Sequence, residues 1–424
     1  MLIHVVKAGE TIYSIAAEYG VNPMRLMQDN SVRANGALAV GQALVIRFPQ
    51  TLHAVTEGDT LSSIAQQYGT TVRQLYRNNY SLGGRDAIYP GDVLVISYFG
   101  EPVGAFVTNG YAYPFIQQNA LYAVLPYMSC LTPFTYGVNA EGGLLPLEDT
   151  SLLSAAEVHG TVPLLHLSTM TEEGNFSNER STLVLTDPAV QERLIGEILS
   201  TVLAKGYRGV DVDFEFILPE QRSAYAAFIQ QLRNRLSPLH YPVLVALAPK
   251  ISADQRGLLY EAHDYAALGA AADFVLLMTY EWGYTYGPPM AVAPLPNVRA
   301  VLDYAVTEIP AEKIFMGMPN YGYDWPLPFQ QGVTRAQSIS NEEAVAIAVA
   351  HGAEILYDET AQSPYFHYYT PDGVEHEVWF EDARSTAAKL RLAAEYRFHG
   401  VGYWNLMRPF AQGWVTLNAL FDIR

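Results

Sequence analysis

The chain has 424 residues, which is long enough for more than one hydrophobic core, so we expect at least two domains. Half of its residues are apolar and 16% are charged, a composition typical of an ordered globular protein. Acidic residues outnumber basic ones by 43 to 25, and the formal net charge of −18 argues against a nucleic-acid partner. A neutral polymer is a better candidate for the binding partner of a chain with this charge.

Cysteine and histidine usage gives no sign of a metal site or of a disulfide framework. Cys130 is the only cysteine, and the ten histidines occur singly, without the spacing of a ligand pair. We therefore expect neither a metal nor another cofactor. No apolar run approaches the roughly 18 residues of a membrane span, and the N-terminal segment lacks the pattern of a secretory signal. We expect no membrane insertion, and the sequence leaves the oligomeric state open.

The N-terminal part of the chain contains an internal repeat. Residues 4–12 align with residues 53–61 at an offset of 49, which becomes 50 toward the end of each copy. Each copy predicts a strand, two helices and a second strand. In the first copy Thr11 precedes apolar residues at helical spacing and is placed to cap that helix, while Asn22 and Pro23 begin the next one.

This pattern resembles the LysM module, a βααβ unit that binds glycans containing N-acetylglucosamine. The resemblance covers residues 1–48 and 51–98, and it implies a shallow groove between two loops of each module. The candidate glycan-binding residues are Gly9, Glu10, Thr11 and Ile12 in the first module and Gly58, Asp59, Thr60 and Leu61 in the second. Residues 39–41 and 89–91, which precede the last strand of each module, would form the other side of each groove, which we call its lip. Purely structural roles, as helix caps or turn glycines, are an equal alternative for these residues.

From residue 99 onward, apolar strand candidates alternate with helical patterns. The strand candidates are Gly104–Asn109, Phe134–Val138, Pro163–Leu167, Gly209–Glu215, Val243–Pro249, Phe274–Tyr280, Ile314–Asn320 and Gly400–Asn405. Buried strands alternating with helices predict an α/β fold, a (β/α)₈ TIM barrel, over residues 99–424. The stretch 322–383 is too long for a simple connection, so we predict a small inserted α+β subdomain there. The link at residues 99–102 is too short for a flexible tether.

The most informative segment is the fourth strand candidate, which reads G-V-D-V-D-F-E from Gly209 to Glu215. Strand alternation places Asp211, Asp213 and Glu215 on one face at intervals of about 6.6 Å. Three carboxylates so arranged cannot all ionise at low cost, so at least one proton is held near neutral pH, as a general acid requires. The alternative is a solvated acidic edge strand. In a barrel of this type the chemistry lies at the C-terminal strand ends, where Glu215 falls.

Motifs on four of the predicted strands resemble glycoside hydrolase family 18. They are Asp211-x-Asp213-x-Glu215 on the fourth strand, Met278-x-Tyr280 on the sixth, Gly317-Met318-Pro319-Asn320-Tyr321-Gly322 on the seventh and Trp404 on the eighth. With its two LysM copies the chain is similar to the spore-cortex-lytic N-acetylglucosaminidases of spore-forming bacteria. Two positions depart from the family pattern, since Arg208 and Glu281 each stand where the family has Asp. The longer Glu281 predicts a reshaped subsite beside the scissile bond.

The resemblance implies a retaining, substrate-assisted hydrolysis. Glu215 would protonate the glycosidic oxygen while the acetamido oxygen of the substrate attacks the anomeric carbon. Asp213 would support the acetamido group while sharing a proton with Asp211, Tyr280 would align that group, and Trp404 would form a hydrophobic floor. The remaining candidate substrate contacts are Glu281, Met278, Asn320 and Tyr321. Packing roles are the alternative for Trp404, Asn320 and Tyr321.

The expected function is a peptidoglycan-degrading N-acetylglucosaminidase that acts on spore cortex, located in the spore coat or cortex or the cell wall. The alternatives are a chitinase and a non-catalytic peptidoglycan-binding coat protein, and the presence of Glu215 favours an enzyme. Because residues 1–98 carry their own cores, we expect a chain beginning near Phe99 to fold and to cleave soluble fragments. Both modules are expected to contribute to binding of insoluble glycan. The bond cleaved and the choice between endo and exo action stay open.

Overall fold

The structure, a computed structural model, describes residues 1–32 and 35–424, and it begins with two βααβ units. The first unit consists of β1 (Leu2–Val5), α1 (Ile12–Tyr19), α2 (Pro23–Asp29) and β2 (Ala43–Ile46), and the second of β3 (Pro49–Ala54), α3 (Leu61–Tyr68), α4 (Val72–Asn78) and β4 (Val93–Tyr98). The two strands of each unit pair antiparallel. The predicted caps are confirmed, because the side chains of Thr11 and Thr60 accept hydrogen bonds from the amides of Ser14 and Ser63.

The rest of the chain forms a barrel with a long excursion. Its first part contains β5 (Gly104–Ala112), α5 (Gln118–Val124), β6 (Cys130–Pro133), α6 (Thr150–His159), β7 (Val162–Pro163), β8 (Leu165–Ser168), α7 (Asn178–Thr186), α8 (Pro188–Lys205), β9 (Val210–Asp213), α9 (Arg222–Leu236), β10 (Val243–Leu247), α10 (Tyr265–Ala271), β11 (Phe274–Leu277), α11 (Leu295–Glu308) and β12 (Ile314–Pro319). The excursion contains β13 (Gly322–Pro326), β14 (Gln337–Ile339), α12 (Asn341–His351), β15 (Leu356–Asp358), β16 (Ser363–Tyr369) and β17 (Glu375–Trp379). The chain then returns through α13 (Ala383–Glu395), β18 (Gly400–Trp404), α14 (Ala411–Leu420) and β19 (Phe421–Ile423).

The barrel strands are parallel and follow the order β7-β6-β5-β18-β12-β11-β10-β9-β8. The third barrel strand is broken into two pieces, of which β7 pairs with β6 and β8 pairs with β9. A backbone bridge between Tyr136, just beyond β6, and Leu167 of β8 links these neighbours and closes the barrel. The predicted TIM barrel is therefore confirmed. No helix in the described part of the chain has the length and apolar character of a membrane span.

The second barrel strand lies upstream of its predicted position. It covers Cys130–Pro133, whereas the prediction was Phe134–Val138. The predicted residues form a buried irregular segment at the mouth of the barrel, where Tyr136 exchanges backbone hydrogen bonds with His166 and Ser168. Phe134, Tyr136 and Val138 are all buried, which explains the error. Apolar alternation marks burial, and it does not distinguish a strand from an extended buried loop.

The fourth barrel strand buries its apolar face against the outer helices, as alternation predicts. Val210, Val212 and Phe214 belong to the main hydrophobic core between strands and helices. The ring of Phe214 stacks on Tyr225 and Phe228 of α9, with centroid distances of 5.6 and 5.5 Å. The opposite face, which carries the acids, therefore points into the barrel lumen. The strand itself ends at Asp213, two residues before its predicted end at Glu215.

The excursion after β12 folds as a five-stranded antiparallel sheet in the order β14-β13-β17-β16-β15. Helix α12 packs on this sheet, and its Ala344 and Ala348 share a core with Phe366 and Val378. This mixed helix-and-sheet unit has the α+β character predicted from the sequence. We refer to it below as the insertion.

The two N-terminal units pack directly on the barrel. The buried guanidinium of Arg77, on α4, donates to the carbonyl oxygens of Pro126 at 2.6 Å and Ile423 at 3.1 Å. On the barrel side, the amide of Gln412 on α14 donates to the Ala43 carbonyl at 2.6 Å. The prediction that the short link holds the modules close to the barrel is confirmed. Because of these contacts, we expect removal of the modules to lower the stability of the barrel.

We expect a chain beginning at Phe99 to unfold at a lower temperature than the full chain, because it exposes the barrel surface that these contacts bury. Arg77→Ala in the full chain should reproduce part of the loss, since it removes the donor to the Ile423 carbonyl while Arg73 still donates to Pro126, and an unpaired buried carbonyl costs about 1–3 kcal/mol. Thermal unfolding measures both effects, with exposed Arg85→Ala as the control. Equal unfolding temperatures for the truncated and full chains would show that the modules contribute nothing to barrel stability.

Candidate active site

The three predicted acids lie at the C-terminal mouth of the barrel. Asp211 and Asp213 are the second and last residues of β9, and Glu215 follows two residues beyond the strand. Asp211 and Asp213 are buried, whereas Glu215 is partly exposed. The strand thus delivers two acids into the lumen and one to the rim, where a substrate has access.

Burial governs the charge state of the two lumen acids. The Tyr111 hydroxyl on β5 donates to Asp211 Oδ2 at 2.6 Å, but Oδ1 of Asp211 and of Asp213 are buried without a hydrogen-bond partner in the described residues. Burial raises the pKa of Asp211 to about 7. Burial, reinforced by the charges of Glu215 and Asp211, raises the pKa of Asp213 well above its usual range. The expected retention of protons near neutral pH follows from this geometry.

The pKa of Glu215 is raised as well, and here the neighbouring charge is that of Glu281. Burial first, and then the negative charge of Glu281, raise the pKa of Glu215 to about 7. Glu281 follows β11 with a φ of 67°, an uncommon backbone conformation for a residue with a side chain. Its carboxylate accepts hydrogen bonds from the hydroxyls of Tyr321 at 2.5 Å and Tyr323 at 3.0 Å. A carboxyl group poised near pH 7 suits a general acid that later acts as a base.

A cleft of about 350 Å³ opens above these acids. Its lining residues are Tyr111, Tyr113, Phe134, His166, Met170, Phe176, Asp213, Glu215, Ala246, Pro249, Leu259, Tyr260, Leu276, Met278, Tyr280, Glu281 and Trp404. Six of the nine predicted barrel-site residues therefore meet at the cleft. A mostly apolar wall with a few convergent polar groups is typical of a small-ligand site.

Tyr280 and Trp404 both line the cleft. A Cβ added to Gly317 would lie 2.7 Å from the Tyr280 ring, so the absence of a side chain at Gly317 makes room for that ring. The half-buried Trp404 indole packs edge-on against Phe134, with a centroid distance of 4.9 Å. Trp404 therefore presents an aromatic surface to the cleft beside the acids.

Two predicted substrate contacts, Asn320 and Tyr321, do not line the cleft. The Asn320 side chain is buried and donates to the carbonyl oxygens of Asn405 at 2.9 Å and Arg408 at 3.0 Å. It thus braces the loop that follows β18. The Tyr321 hydroxyl donates its hydrogen bond to the Glu281 carboxylate. The sequence shows that both residues follow a strand end, but it does not show which groups their polar atoms bind. The third residue outside the lining, Asp211, lies beneath Asp213.

Sequence reasoning missed His166, on β8. Its Nδ1 shares a 2.6 Å hydrogen bond with Thr135 Oγ1, and its Nε2 lies 3.8 Å from Asp213 Oδ2. Burial lowers the pKa of His166 to about 3, so the imidazole is neutral beside the acids. A usable signal was present, because His166 is a lone polar residue between the apolar Leu165 and Leu167 and therefore faces the lumen.

A second histidine, His263, fixes the segment that carries Glu215. Its Nδ1 accepts the Ala248 amide at 2.9 Å, so the ring proton is on Nε2, which donates to the Phe214 carbonyl at 3.1 Å. This bridge ties the peptide next to Glu215 to the end of the fifth barrel strand. Nothing local in the sequence signals it, because the contact spans 49 residues.

The departure at Arg208 lies far from the cleft. Arg208 precedes β9, at the opposite end of the strand from Glu215, about 20 Å away along an extended backbone. Its side chain donates to the Tyr241 hydroxyl at 2.9 Å. This residue therefore does not take part in the geometry of the acids.

In the LysM modules the predicted acids face their own loops. Glu10 accepts the Lys7 amide at 2.7 Å and lies 2.8 Å from His4 Nε2. Asp59 repeats this arrangement with Thr56 and His53. The remaining candidates divide into the capping residues Thr11 and Thr60, the buried Ile12 and Leu61, and the exposed turn residues Gly9 and Gly58. Glycan contact by these eight residues stays a prediction.

A TIM barrel with a row of acids at the end of its fourth strand, under an aromatic-lined cleft, has the architecture of a glycoside hydrolase. The family model for glycosyl hydrolases family 18 matches residues 166–408, and the LysM domain model matches residues 4–47 and 53–97. The chain belongs to glycosyl hydrolases family 18 and carries two LysM domains.

Two of the similar proteins match the whole chain, and a third matches about three quarters of it. A cortical fragment-lytic enzyme of Bacillus subtilis (strain 168) is 40% identical over 432 residues, which span 100% of this chain and 99% of the relative. The crystal structure of the Bacillus cereus spore cortex-lytic enzyme SleL matches 100% of this chain and 98% of its own, with 37% identity and a TM-score of 0.84. A chitinase from Chromobacterium violaceum matches 74% of this chain and 98% of its own, with 27% identity and a TM-score of 0.69.

We expect Glu281→Gln to shift the alkaline limb of the pH–activity profile to lower pH. The substitution removes a negative charge that raises the pKa of Glu215, so the acid loses its proton at a lower pH. The measurement is kcat/KM on a soluble glycan across pH, with exposed Glu18→Gln as the control. An alkaline limb that stays in place would show that Glu281 does not set the pKa of the acid.

The buried acids also predict a loss of stability as the pH rises from acidic to neutral values. A raised carboxyl pKa means that the folded state binds more protons than the unfolded state, so the free energy of unfolding falls as pH rises from about 4 to about 7. Asp211→Asn should flatten this dependence in chemical unfolding measured at about pH 5 and about pH 8. Exposed Glu157→Gln provides the comparison. An unchanged slope for Asp211→Asn would mean that Asp211 ionises as easily in the folded chain as in the unfolded one.

Proposed function

We propose that the chain is a retaining β-N-acetylglucosaminidase that degrades the peptidoglycan of spore cortex. The observation that carries this proposal is the acid row, with Glu215 on the rim of the cleft and a pKa of about 7, above the buried Asp213 and Asp211. Such a row supplies one proton donor and a protected pair of acids behind it. It does not by itself require a second carboxylate as nucleophile.

In the proposed first step the Glu215 carboxyl group gives its proton to the glycosidic oxygen, and the bond to the anomeric carbon breaks. The acetamido oxygen of the same sugar attacks that carbon, and the leaving sugar departs as an alcohol. In the second step water adds to the anomeric carbon and gives its proton to the Glu215 carboxylate, while the acetamido group reforms. Two displacements at one carbon retain its configuration.

The residues around Glu215 stabilise the charged intermediate of this route. Asp213 accepts the acetamido N–H, and its excess proton is shared with Asp211, which Tyr111 holds in place through a 2.6 Å hydrogen bond. The Tyr280 hydroxyl donates to the acetamido oxygen and aligns it for attack. Trp404 supports the apolar face of the sugar. Each role follows the family resemblance, and the shared cleft position of Asp213, Tyr280 and Trp404 supports it.

The choice of cortex peptidoglycan is supported by whole-chain similarity. The cortical fragment-lytic and cortex-lytic relatives match essentially the entire chain, including both LysM modules. The chitinase match covers 74% of the chain. A chitinase is therefore the second candidate, favoured only by the barrel. We place the action of the protein at the spore cortex or coat or the cell wall, with cleavage after N-acetylglucosamine.

Glu215→Gln should lower kcat on soluble cortex fragments by about 10² to 10⁴, because it removes the proton donor. The thermal unfolding temperature and the binding to insoluble peptidoglycan should stay near those of the unmodified chain. The matched control is Glu220→Gln, an exposed acid five residues further along. Near-normal turnover by Glu215→Gln would remove Glu215 from the mechanism.

Participation of the acetamido group predicts that sugars with a free amine at the reacting position are inert, and that Asp213→Asn loses most of its turnover on normal substrates. Mass spectrometry of reduced products should find N-acetylglucosamine at the new reducing end. Normal cleavage of de-acetylated fragments would refute acetamido participation. Preferential cleavage of chitin oligosaccharides over cortex fragments would instead favour the chitinase.

A further inference from the structure

The two LysM modules share a fold but have different surroundings. The lip that precedes the last strand is residues 39–41 in the first module and residues 89–91 in the second, and internal repetition makes these lips equivalent. In the first module Ala39 and Gly41 are buried, whereas all three residues of the second lip are exposed. The difference arises from what covers the first lip.

The first lip is covered by the insertion of the same chain. The Ile355 amide donates to the Val40 carbonyl at 2.8 Å. A Cβ added to Gly41 would lie 1.8 Å from the Ile355 carbonyl oxygen, so the two backbones touch. Ala39 is part of the hydrophobic core of the insertion, together with Ile355. Arg384 adds a hydrogen bond to the Gly41 carbonyl at 3.3 Å.

The second lip carries the opposite features. A Cβ added to Gly91 would meet nothing within 4 Å. Tyr89, at the position equivalent to Ala39, is 67% exposed, and its amide donates to Asp92 Oδ2 at 2.8 Å, which holds the loop in place. An exposed tyrosine on a fixed loop is a surface on which the apolar face of a sugar can stack.

We propose that the second LysM module alone captures the glycan, with Tyr89 as a stacking surface, and that the groove of the first module is closed by residues 353–356 of the insertion. The first module then serves as a strut between the insertion and the barrel, which it also contacts through Gln412. This inference rests on the proposed function, since it divides the binding of the same polymer between two modules.

The division changes how the protein holds insoluble substrate. Linked sites bind more tightly than single ones because the second contact forms at a high effective concentration. With the first module closed, the linked sites are the second module and the catalytic cleft, rather than two LysM grooves. Binding should therefore depend on Tyr89 and be insensitive to the contact between Val40 and Ile355.

The first test compares exposed tyrosines of the two modules. Tyr89→Ala should raise the apparent Kd for insoluble peptidoglycan about tenfold. Tyr13→Ala, which removes the 60% exposed tyrosine of α1, should leave it unchanged. Turnover of soluble fragments by the unmodified chain tests the proposed function separately, so absence of turnover would count against the proposed function, whereas the binding comparison tests this inference. No change for Tyr89→Ala, or an equal loss for Tyr13→Ala, would overturn the inference.

The second test asks whether the first groove opens. A disulfide between Val40→Cys and Ile355→Cys, at backbones joined by a 2.8 Å hydrogen bond, should leave pull-down on insoluble peptidoglycan the same when oxidised and when reduced. Hydrogen exchange of the Ile355 amide, measured on the unmodified chain, should show equal protection with and without soluble cortex fragments. Weaker binding on oxidation, or loss of protection with fragments, would show that the first module opens to bind glycan.

Discussion

The structure depends on one electrostatic constraint, the placement of three carboxyl groups in a row where β9 meets the mouth of the barrel. Burial raises the pKa of Asp211 to about 7, burial and the charge of Glu281 raise that of Glu215 to about 7, and the pKa of Asp213 is raised well above its usual range, so the row retains protons near neutral pH. Three neighbouring side chains contact these acids or shift their pKa values. Tyr111 bonds to Asp211, the neutral His166 faces Asp213, and the carboxylate of Glu281 keeps the Glu215 proton in place.

Much of the fold could be predicted from the sequence, because it is encoded in local patterns. Helix caps at Thr11 and Thr60 repeat with the module, and the alternation of acids with Val210, Val212 and Phe214 fixes the two faces of the fourth barrel strand. Short-range periodicity of this kind determines which face of an element is buried. It also located the acids of the candidate site correctly at a strand end.

The rest of the site depends on contacts between distant segments, which periodicity does not encode. The sequence predicts Asn320 as a substrate contact, but in the structure its side-chain amide donates to the backbone carbonyls of residues 405 and 408. His166 and His263 act across 47 and 49 residues respectively. The hydrogen bond from the Ile355 amide to the Val40 carbonyl of the first LysM module is of the same kind. Only the packed structure shows which equivalent residues of a repeat are covered.

The central claim is that the substrate's acetamido group, rather than a water molecule, makes the first attack on the anomeric carbon. Its stereochemical course follows from that chemistry, because two successive displacements preserve the β configuration. Proton NMR of the first product formed from a β-linked soluble cortex fragment, recorded before mutarotation, measures that course directly. The account predicts that the β anomer appears first. Initial release of the α anomer would contradict it.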